Sequence, residues 1–174
     1  KKYVIEYDLK ADIHSLSKPI DETNVRHYDL VIIDESHNLR NNKSNRYKYL
    51  VDELLAKSKG DIKVLMLSAT PINNSLMDIR NQFKLIVAGN ANGFEESLDI
   101  KNIDYTFRAA QKAFNDWTEE TTPKISDFIK SLPANFFKLT DALTVARTRK
   151  MIEGHQNGLK FPLKAKPENI FITP

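Results

Sequence analysis

Short apolar runs alternate with a helix-spaced apolar stripe in the first half of the chain. Leu30–Ile33 is apolar at four consecutive positions, three of them β-branched. A second run covers Lys63–Leu67 and is apolar from Val64 onward. Runs this short that are apolar on both faces predict strands buried on both sides, as in a parallel sheet covered by helices. Between them, apolar residues at i, i+3, i+4, i+7 and i+8 predict an amphipathic helix: Tyr47, Leu50, Val51, Leu54 and Leu55.

This order of strand, helix and strand predicts a βαβ unit. The two strands of such a unit run parallel, and its crossover connection is almost always right-handed. Parallel strands end at the same edge of a sheet. Residues that follow Leu67 are therefore expected close to those that follow Ile33.

The second half of the chain carries helical stripes without an internal repeat. A stripe that starts at Leu76 and includes Ile79, Phe83 and Ile86 predicts a helix that ends near Gly89. We interpret the later stripes as core positions rather than platforms for stacking bases. They comprise Phe107, Ala110, Phe114 and Trp117, then Ile125, Phe128, Ile129 and Leu132, and finally Phe136, Phe137 and Leu143.

Both predicted strands are followed by side chains that can do chemistry. Asp34 and Glu35 follow the first strand, and Ser68-Ala69-Thr70 follows the second. Ligands of open α/β sheets gather beyond the carboxyl ends of the strands. One carboxylate can hold Mg²⁺, which prefers hard oxygen ligands, and its neighbour can polarise a water for attack on phosphorus, as in a Walker B motif. On the acidic pair alone, a surface cap of the following segment fits equally well.

Composition narrows the class of protein. With 41% hydrophobic and 28% charged residues, the chain can bury a core and is not disordered by composition. The absence of Cys excludes disulfides and thiolate metal sites. We expect an intracellular protein, cytoplasmic or associated with a nucleoid or nucleus, with no membrane partner. The net charge is only +3, and its basic excess lies mostly after Thr144. That segment is a solvated tail or a nucleic-acid contact.

The motifs together resemble the first motor lobe of superfamily 2 helicases. Asp34-Glu35-Ser36-His37 matches motif II, the DEAH or DExH box, and Ser68-Ala69-Thr70 matches motif III. The continuation Pro71-Ile72-Asn73-Asn74 is most similar to the Swi2/Snf2 branch. Residues 146–150 resemble the arginine-rich stretch before the second lobe of that branch, and the chain from Pro162 onward resembles its bridge. Ser36 stands where Ala is common, a departure that should leave the acids intact.

This resemblance implies an α/β fold, namely part of a RecA-like P-loop NTPase lobe with parallel strands, followed by an all-helical insertion. Residues 1–88 would form the partial lobe that carries motifs II and III. Residues 89–152 would form the helical protrusion of Swi2/Snf2 motors, and residues 153–174 a linker with the first strand toward a second lobe.

The resemblance also implies roles for individual residues. Asp34 would hold Mg²⁺ through water, and Glu35 would activate the water that attacks ATP. The partners would be nucleic acid, double-stranded DNA first, and a second RecA-like lobe of the same parent chain. His37 would act with Asp34 and Glu35, while Ser68, Ala69, Thr70 and Asn74 would couple nucleotide state to those partners. The basic contacts to nucleic acid or the second lobe would come from Arg147, Arg149 and Lys150.

Three alternatives remain open on the sequence. A motor subunit of a restriction enzyme carries the same motifs. A non-catalytic interaction module on a degenerate α/β scaffold would not need a Gly-Lys-Ser/Thr loop upstream in the parent gene. A metal-dependent phosphatase could use Asp34 and Glu35, but it needs further acids at neighbouring strand ends, and only Asp8 is available.

The sequence predicts that the 174-residue chain binds ATP poorly and hydrolyses it negligibly. Both ends look cut, and none of the five glycines precedes a lysine, so the phosphate-binding loop G-x-x-x-x-G-K-[ST] is missing. No second lobe is present to bring an arginine finger. ATPase assays of the purified chain test this expectation. Robust Mg²⁺-dependent turnover would contradict it.

Overall fold

The computed structural model describes residues 6–15, 28–56, 62–72, 75–146 and 151. Within them, β1 (Leu30–Ile33) and β2 (Lys63–Met66) form a two-stranded parallel sheet in which Val31 pairs with Val64. The α/β class and the parallel pairing of the two strands are therefore confirmed. Some predicted features lie outside the described residues: Asn74, Arg147, Arg149, Lys150 and the segment 153–174.

The remaining described elements are helical. A 3₁₀ turn follows β1, at Ser36–Leu39. Helix α1 (Asn45–Tyr49) begins where Ser44 Oγ accepts a hydrogen bond from the Tyr47 backbone N–H, and it continues into a π-helical segment, Leu50–Leu55. After β2 come α2 (Met77–Ile86), α3 (Glu95–Leu98), α4 (Ile103–Thr118), α5 (Ile125–Ser131) and α6 (Ala134–Leu143). In the ranges that the structure covers, every helix is too short or too polar to cross a bilayer.

Among the described residues the sheet is covered on one face, so the prediction of strands buried on both sides is wrong for this part of the chain. Ile33 is buried in a cluster with Tyr47 of α1 and with residues of the π-helical segment, and Val31, Val64 and Met66 pack against the same cluster. Side chains alternate between the two faces of a strand. The alternate positions are between 48% and 58% exposed: Leu30, Ile32, Leu65 and Leu67. An apolar run shows that both faces suit burial, but it does not show what packs on each face.

Two hydrophobic cores meet at helix α2. The first core lies under the sheet and includes Ile33, Leu39, Tyr47, Leu50, Leu54 and Leu85. The second core joins the later helices and includes Ile79, Phe83, Phe94, Ile100, Ile103, Phe107 and Leu139. Helix α2 contributes Leu85 to the first core and both Ile79 and Phe83 to the second. One helix therefore packs both against the sheet and against the later helices.

Half of the predicted stripe at α5 is exposed, so its interpretation as core is wrong for two of its four residues, whereas Phe128 and Leu132 are partly buried. Ile125 and Ile129 are 68% and 49% exposed. The seven-residue helix packs on α4 mainly through Phe128, whose ring stacks on Trp117 with a centroid distance of 5.2 Å. Helical periodicity indicates which face is apolar. It does not indicate whether a short helix finds enough neighbours to bury that face.

Gly89 allows the chain to turn after α2. Its φ is +80°, a left-handed conformation that side chains with a Cβ avoid, and its N–H donates to the Lys84 carbonyl at 2.7 Å. A Cβ at this position would lie 2.8 Å from Val51 Cγ1 in the π-helical segment. The glycine therefore permits the turn and also allows the turn to approach the π-helical segment closely.

Gly89→Ala should lower the free energy of unfolding by about 1–2 kcal/mol, because the left-handed backbone conformation is strained for alanine. Urea denaturation of the chain measures this. The neighbouring Ala88 also has a positive φ, of 48°. Ala88→Gly is the matched control, and it should be neutral or stabilising. Equal losses in both variants would contradict the conformational explanation.

Candidate functional site

The loops that follow β1 and β2 lie side by side at one edge of the sheet. The Leu67 N–H donates to the Ile33 carbonyl at 2.9 Å, and the Ser36 N–H donates to the Leu67 carbonyl at 2.9 Å. The parallel ladder thus continues beyond both strands. The prediction that residues after Leu67 lie near the acidic pair is confirmed.

Glu35 holds a strained backbone conformation at this edge. Its φ and ψ are 51° and 47°, in the left-handed region that residues other than glycine seldom adopt. Hydrogen bonds fix the turn: the Glu35 N–H donates to Asp34 Oδ1 at 2.9 Å, and the Asn38 N–H and Nδ2 each donate to the Glu35 carbonyl at 3.0 Å. Such strain costs about 1–3 kcal/mol and clusters at functional sites. The conformation aims the Glu35 carboxylate, which is 59% exposed, away from the core.

His37 joins the acidic loop to the hydroxyl loop. Its Nδ1 lies 3.0 Å from Glu35 Oε2 and 3.4 Å from Ser68 Oγ. The shorter contact is a hydrogen bond when Nδ1 carries the proton. Ser68 Oγ also accepts from the Thr70 N–H at 3.2 Å. The structure therefore brings together Glu35, His37, Ser68 and the backbone of Thr70. Ala69 is exposed in the same loop.

The acidic pair has the donor chemistry that Mg²⁺ requires. Both carboxylates are exposed, and no described lysine or arginine forms an ion pair with Asp34 or Glu35. No group of three His, Cys, Asp or Glu side chains among the described residues could hold a metal ion. Magnesium commonly binds through one or two carboxylates together with waters and substrate phosphates. Asp34 fits that manner of binding.

Two buried polar residues lie behind the acidic pair. The sequence analysis named Ser36 only as a departure from Ala within motif II, and it missed Gln82. Ser36 and Gln82 are 1% and 3% exposed. Ser36 Oγ donates to Gln82 Oε1 at 2.8 Å, and Gln82 Nε2 donates to the Pro71 carbonyl at 2.8 Å. The only sequence signal for Gln82 was its polar side chain directly before Phe83, within the apolar pattern of α2. Gln82 contacts the loop after each strand.

Helix α2 is held against both neighbouring segments by buried and partly buried polar contacts. The Tyr47 hydroxyl donates to the Asn81 carbonyl at 2.9 Å, and Asn81 Nδ2 donates to the Arg40 carbonyl. On the other side, Asp104 lies 3.5 Å from Arg80 Nη1 and 3.4 Å from Lys84 Nζ. Burial raises the pKa of Tyr47 to about 12, a shift that Arg80 opposes and Asp104 reinforces. These contacts fix the position from which Gln82 reaches the two loops.

Comparison with known proteins identifies the family. The SNF2-related domain family matches residues 7–138, which is most of the chain. The chain belongs to the SNF2-related domain family. Its helicase superfamily, predicted from motifs II and III, is thereby confirmed.

Two curated relatives of this SNF2-related domain are named as helicases. The chain is 42% identical over 77 residues to the uncharacterized ATP-dependent helicase YqhH of Bacillus subtilis, covering 42% of this chain and 13% of that protein. It is 29% identical over 116 residues to the ATP-dependent helicase fft2 of Schizosaccharomyces pombe, covering 64% of this chain and 8% of that protein. The chain thus spans a small part of the length of both relatives. No solved structure matches this chain.

The raised pKa of Tyr47 predicts a loss of stability in alkali. A phenol is neutral when protonated, so below pH 10 the folded and unfolded states both keep the proton. Between pH 10 and about 12 the unfolded state ionises first, and the free energy of unfolding falls as pH rises. Urea denaturation of the SNF2-related domain across this pH range measures the effect.

Tyr47→Phe is the matched variant for this measurement. It should cost about 1 kcal/mol at pH 7, because the hydrogen bond to the Asn81 carbonyl is lost. Above pH 10 its stability should fall less steeply than that of the wild type. Parallel curves for the two proteins would show that Tyr47 does not titrate in this way.

Proposed function

We propose that this chain is the part of the first RecA-like motor lobe that carries motifs II and III in an ATP-driven nucleic-acid translocase of the Swi2/Snf2 type. Membership of the SNF2-related domain family and two relatives named as ATP-dependent helicases support this proposal. The substrate we favour is double-stranded DNA. The observation that carries the proposal is the link through His37 between Glu35 and Ser68 at one sheet edge.

Each acid has a distinct role in this proposal. Asp34 would hold Mg²⁺ through water, which would supply neutralisation of charge on the phosphates of ATP. Glu35 orients the attacking water and draws its proton. The strained backbone at Glu35 fits this role, since it keeps the carboxylate in the open while Asp34 Oδ1 accepts the adjacent N–H. Catalysis then depends mainly on positioning and electrostatic stabilisation.

The hydroxyl loop couples the acids to the rest of the motor. A movement of the Glu35 carboxylate changes its contact with His37, and His37 in turn changes its contact with Ser68. Ser68 Oγ accepts a hydrogen bond from the Thr70 N–H. Ala69 and Asn74 belong to the same loop in this proposal. Nucleic acid or the second lobe is contacted after the helical region by Arg147, Arg149 and Lys150.

The helices of residues 89–152 form the protrusion of the motor in this proposal, and residues 153–174 lead to its second lobe. Helix α2 supports this arrangement because its side chains pack into both cores. A displacement of the helical region would therefore shift α2, and with it the sheet edge that carries the acids.

The proposal predicts that Glu35→Gln in the full-length protein lowers kcat for ATP hydrolysis by at least about 100-fold, because a positioned general base typically contributes that much. The KM for ATP should change far less, since the amide keeps the size of the side chain. Steady-state ATPase rates with and without duplex DNA measure both quantities.

Glu96→Gln is the matched control for this experiment. Glu96 is an exposed carboxylate on α3 in the helical half, so the same substitution there should leave kcat unchanged. An unaffected rate in Glu35→Gln would remove Glu35 from its role. Equal losses in both variants would point to damage to the fold.

A further inference from the structure

Gln82 is a buried side chain whose amide is fully engaged between two loops. Its Oε1 accepts from Ser36 Oγ at 2.8 Å, and its Nε2 donates to the carbonyls of Pro71 and Asp78 at 2.8 and 3.2 Å. The Asp78 contact lies within α2 itself, so it fixes the direction of the side chain. The other two contacts cross to the loops after β1 and β2. At 3% exposure, this amide has almost no contact with water.

Burial makes these hydrogen bonds persistent. A buried amide that loses a partner cannot exchange it for water, so the free-energy cost of breaking the contact is high. Besides the backbone hydrogen bond from Ser36 to Leu67, a second side-chain link among the described residues runs through His37, which is 26% exposed and can exchange partners with solvent. The two loops are therefore joined by an adaptable contact at the surface and by a fixed contact underneath.

The two bonded residues lie next to the candidate chemistry. Ser36 stands between Glu35 and His37, and Pro71 directly follows Thr70. A displacement of either loop by about 1 Å would either break its 2.8 Å hydrogen bond to Gln82 or displace the other loop as well. Small displacements of this size at a reacting centre can cost about 100-fold in rate.

We propose that Gln82 is a positioning residue that locks the acidic loop to the hydroxyl loop, and that coupling between nucleic-acid binding and ATP hydrolysis runs through it. The part of this inference that concerns ATP hydrolysis rests on the proposed function. Its structural part, the lock between the loops, does not. Gln82 acts through Ser36 and the Pro71 carbonyl and touches no substrate.

The first test is amide hydrogen exchange in the full-length protein without nucleotide. Gln82→Met removes the amide and keeps the length of the side chain. We expect exchange to rise about tenfold in the segments 35–39 and 68–72, because local opening of both loops becomes easier. Ser36→Ala should raise exchange in 35–39 alone, since Gln82 still binds the Pro71 carbonyl.

Gln111→Met is the matched control. Gln111 lies on α4, and its Oε1 accepts from Ser75 Oγ at 2.8 Å and from the Leu76 N–H at 2.9 Å. It thus loses two contacts between elements, as Gln82 does, but neither contact reaches the acidic loop. Its substitution should leave exchange in 35–39 unchanged. Equal exchange in Gln82→Met and wild type, or an equal rise in both methionine variants, would overturn the lock.

The second test measures ATP hydrolysis with and without nucleic acid in the same full-length variants. Gln82→Met should lower the kcat of nucleic-acid-stimulated ATP hydrolysis about tenfold while the KM for ATP changes less than twofold, since positioning acts on the transition state. Ser36→Ala should lower kcat in the wild-type background but not in the Gln82→Met background, because the two residues share one hydrogen bond. A purely structural defect would give additive losses.

The two tests separate the lock from the proposed function. If the wild-type protein has no ATPase activity, or if Glu35→Gln retains full activity, the proposed function fails while the exchange pattern still decides the lock. If the wild type is active and Glu35→Gln is not, an unchanged kcat in Gln82→Met rejects the role of Gln82 in coupling. Additive losses in the double variant reject it as well.

Discussion

The hydrogen bond from the Ser36 N–H to the Leu67 carbonyl, at 2.9 Å, is the contact on which the candidate site depends. It extends the parallel pairing of β1 and β2 past the ends of both strands, so the chain emerges twice at one edge of the sheet. The acidic pair and the hydroxyl loop become neighbours through this pairing. His37 joins them on the exposed side and Gln82 joins them from beneath. Without this pairing, residues separated by a helix would have no reason to meet.

Helix α2 transmits that arrangement to the rest of the chain. It places Leu85 in the core under the sheet, Ile79 and Phe83 in the core of the later helices, and Gln82 between the two loops. The strained backbone of Glu35 is tolerated because surrounding hydrogen bonds determine its turn. A well-packed scaffold thus supports a locally unfavourable residue, as expected where binding or catalysis sets the conformation rather than stability.

Much of this arrangement could be predicted from the sequence, and the remainder has identifiable physical causes. The apolar run Leu30–Ile33 and the helical stripe from Tyr47 predicted strand, helix and parallel strand, and hence the shared edge. The exposure of Leu30 and Ile32 could not be predicted, because a side chain that suits burial does not specify its neighbours. The π-helical geometry of Leu50–Leu55 could not be predicted either, because apolar periodicity does not distinguish it from an α-helix. Gln82 was missed because the role of a polar residue in an apolar stripe depends on the residues that it contacts in the fold, which the sequence does not show. The family resemblance added roles to the residues at the edge, but no geometry.

The most direct measurement of the central contact is NMR spectroscopy of the chain labelled with ¹⁵N and ¹³C. A scalar coupling through the hydrogen bond should connect the Ser36 amide nitrogen to the Leu67 carbonyl carbon, and a second should connect the Leu67 nitrogen to the Ile33 carbonyl. Observation of both couplings would place the acidic and hydroxyl loops at one edge of a parallel sheet. A Ser36 amide that shows no such coupling and exchanges freely with solvent would contradict the account.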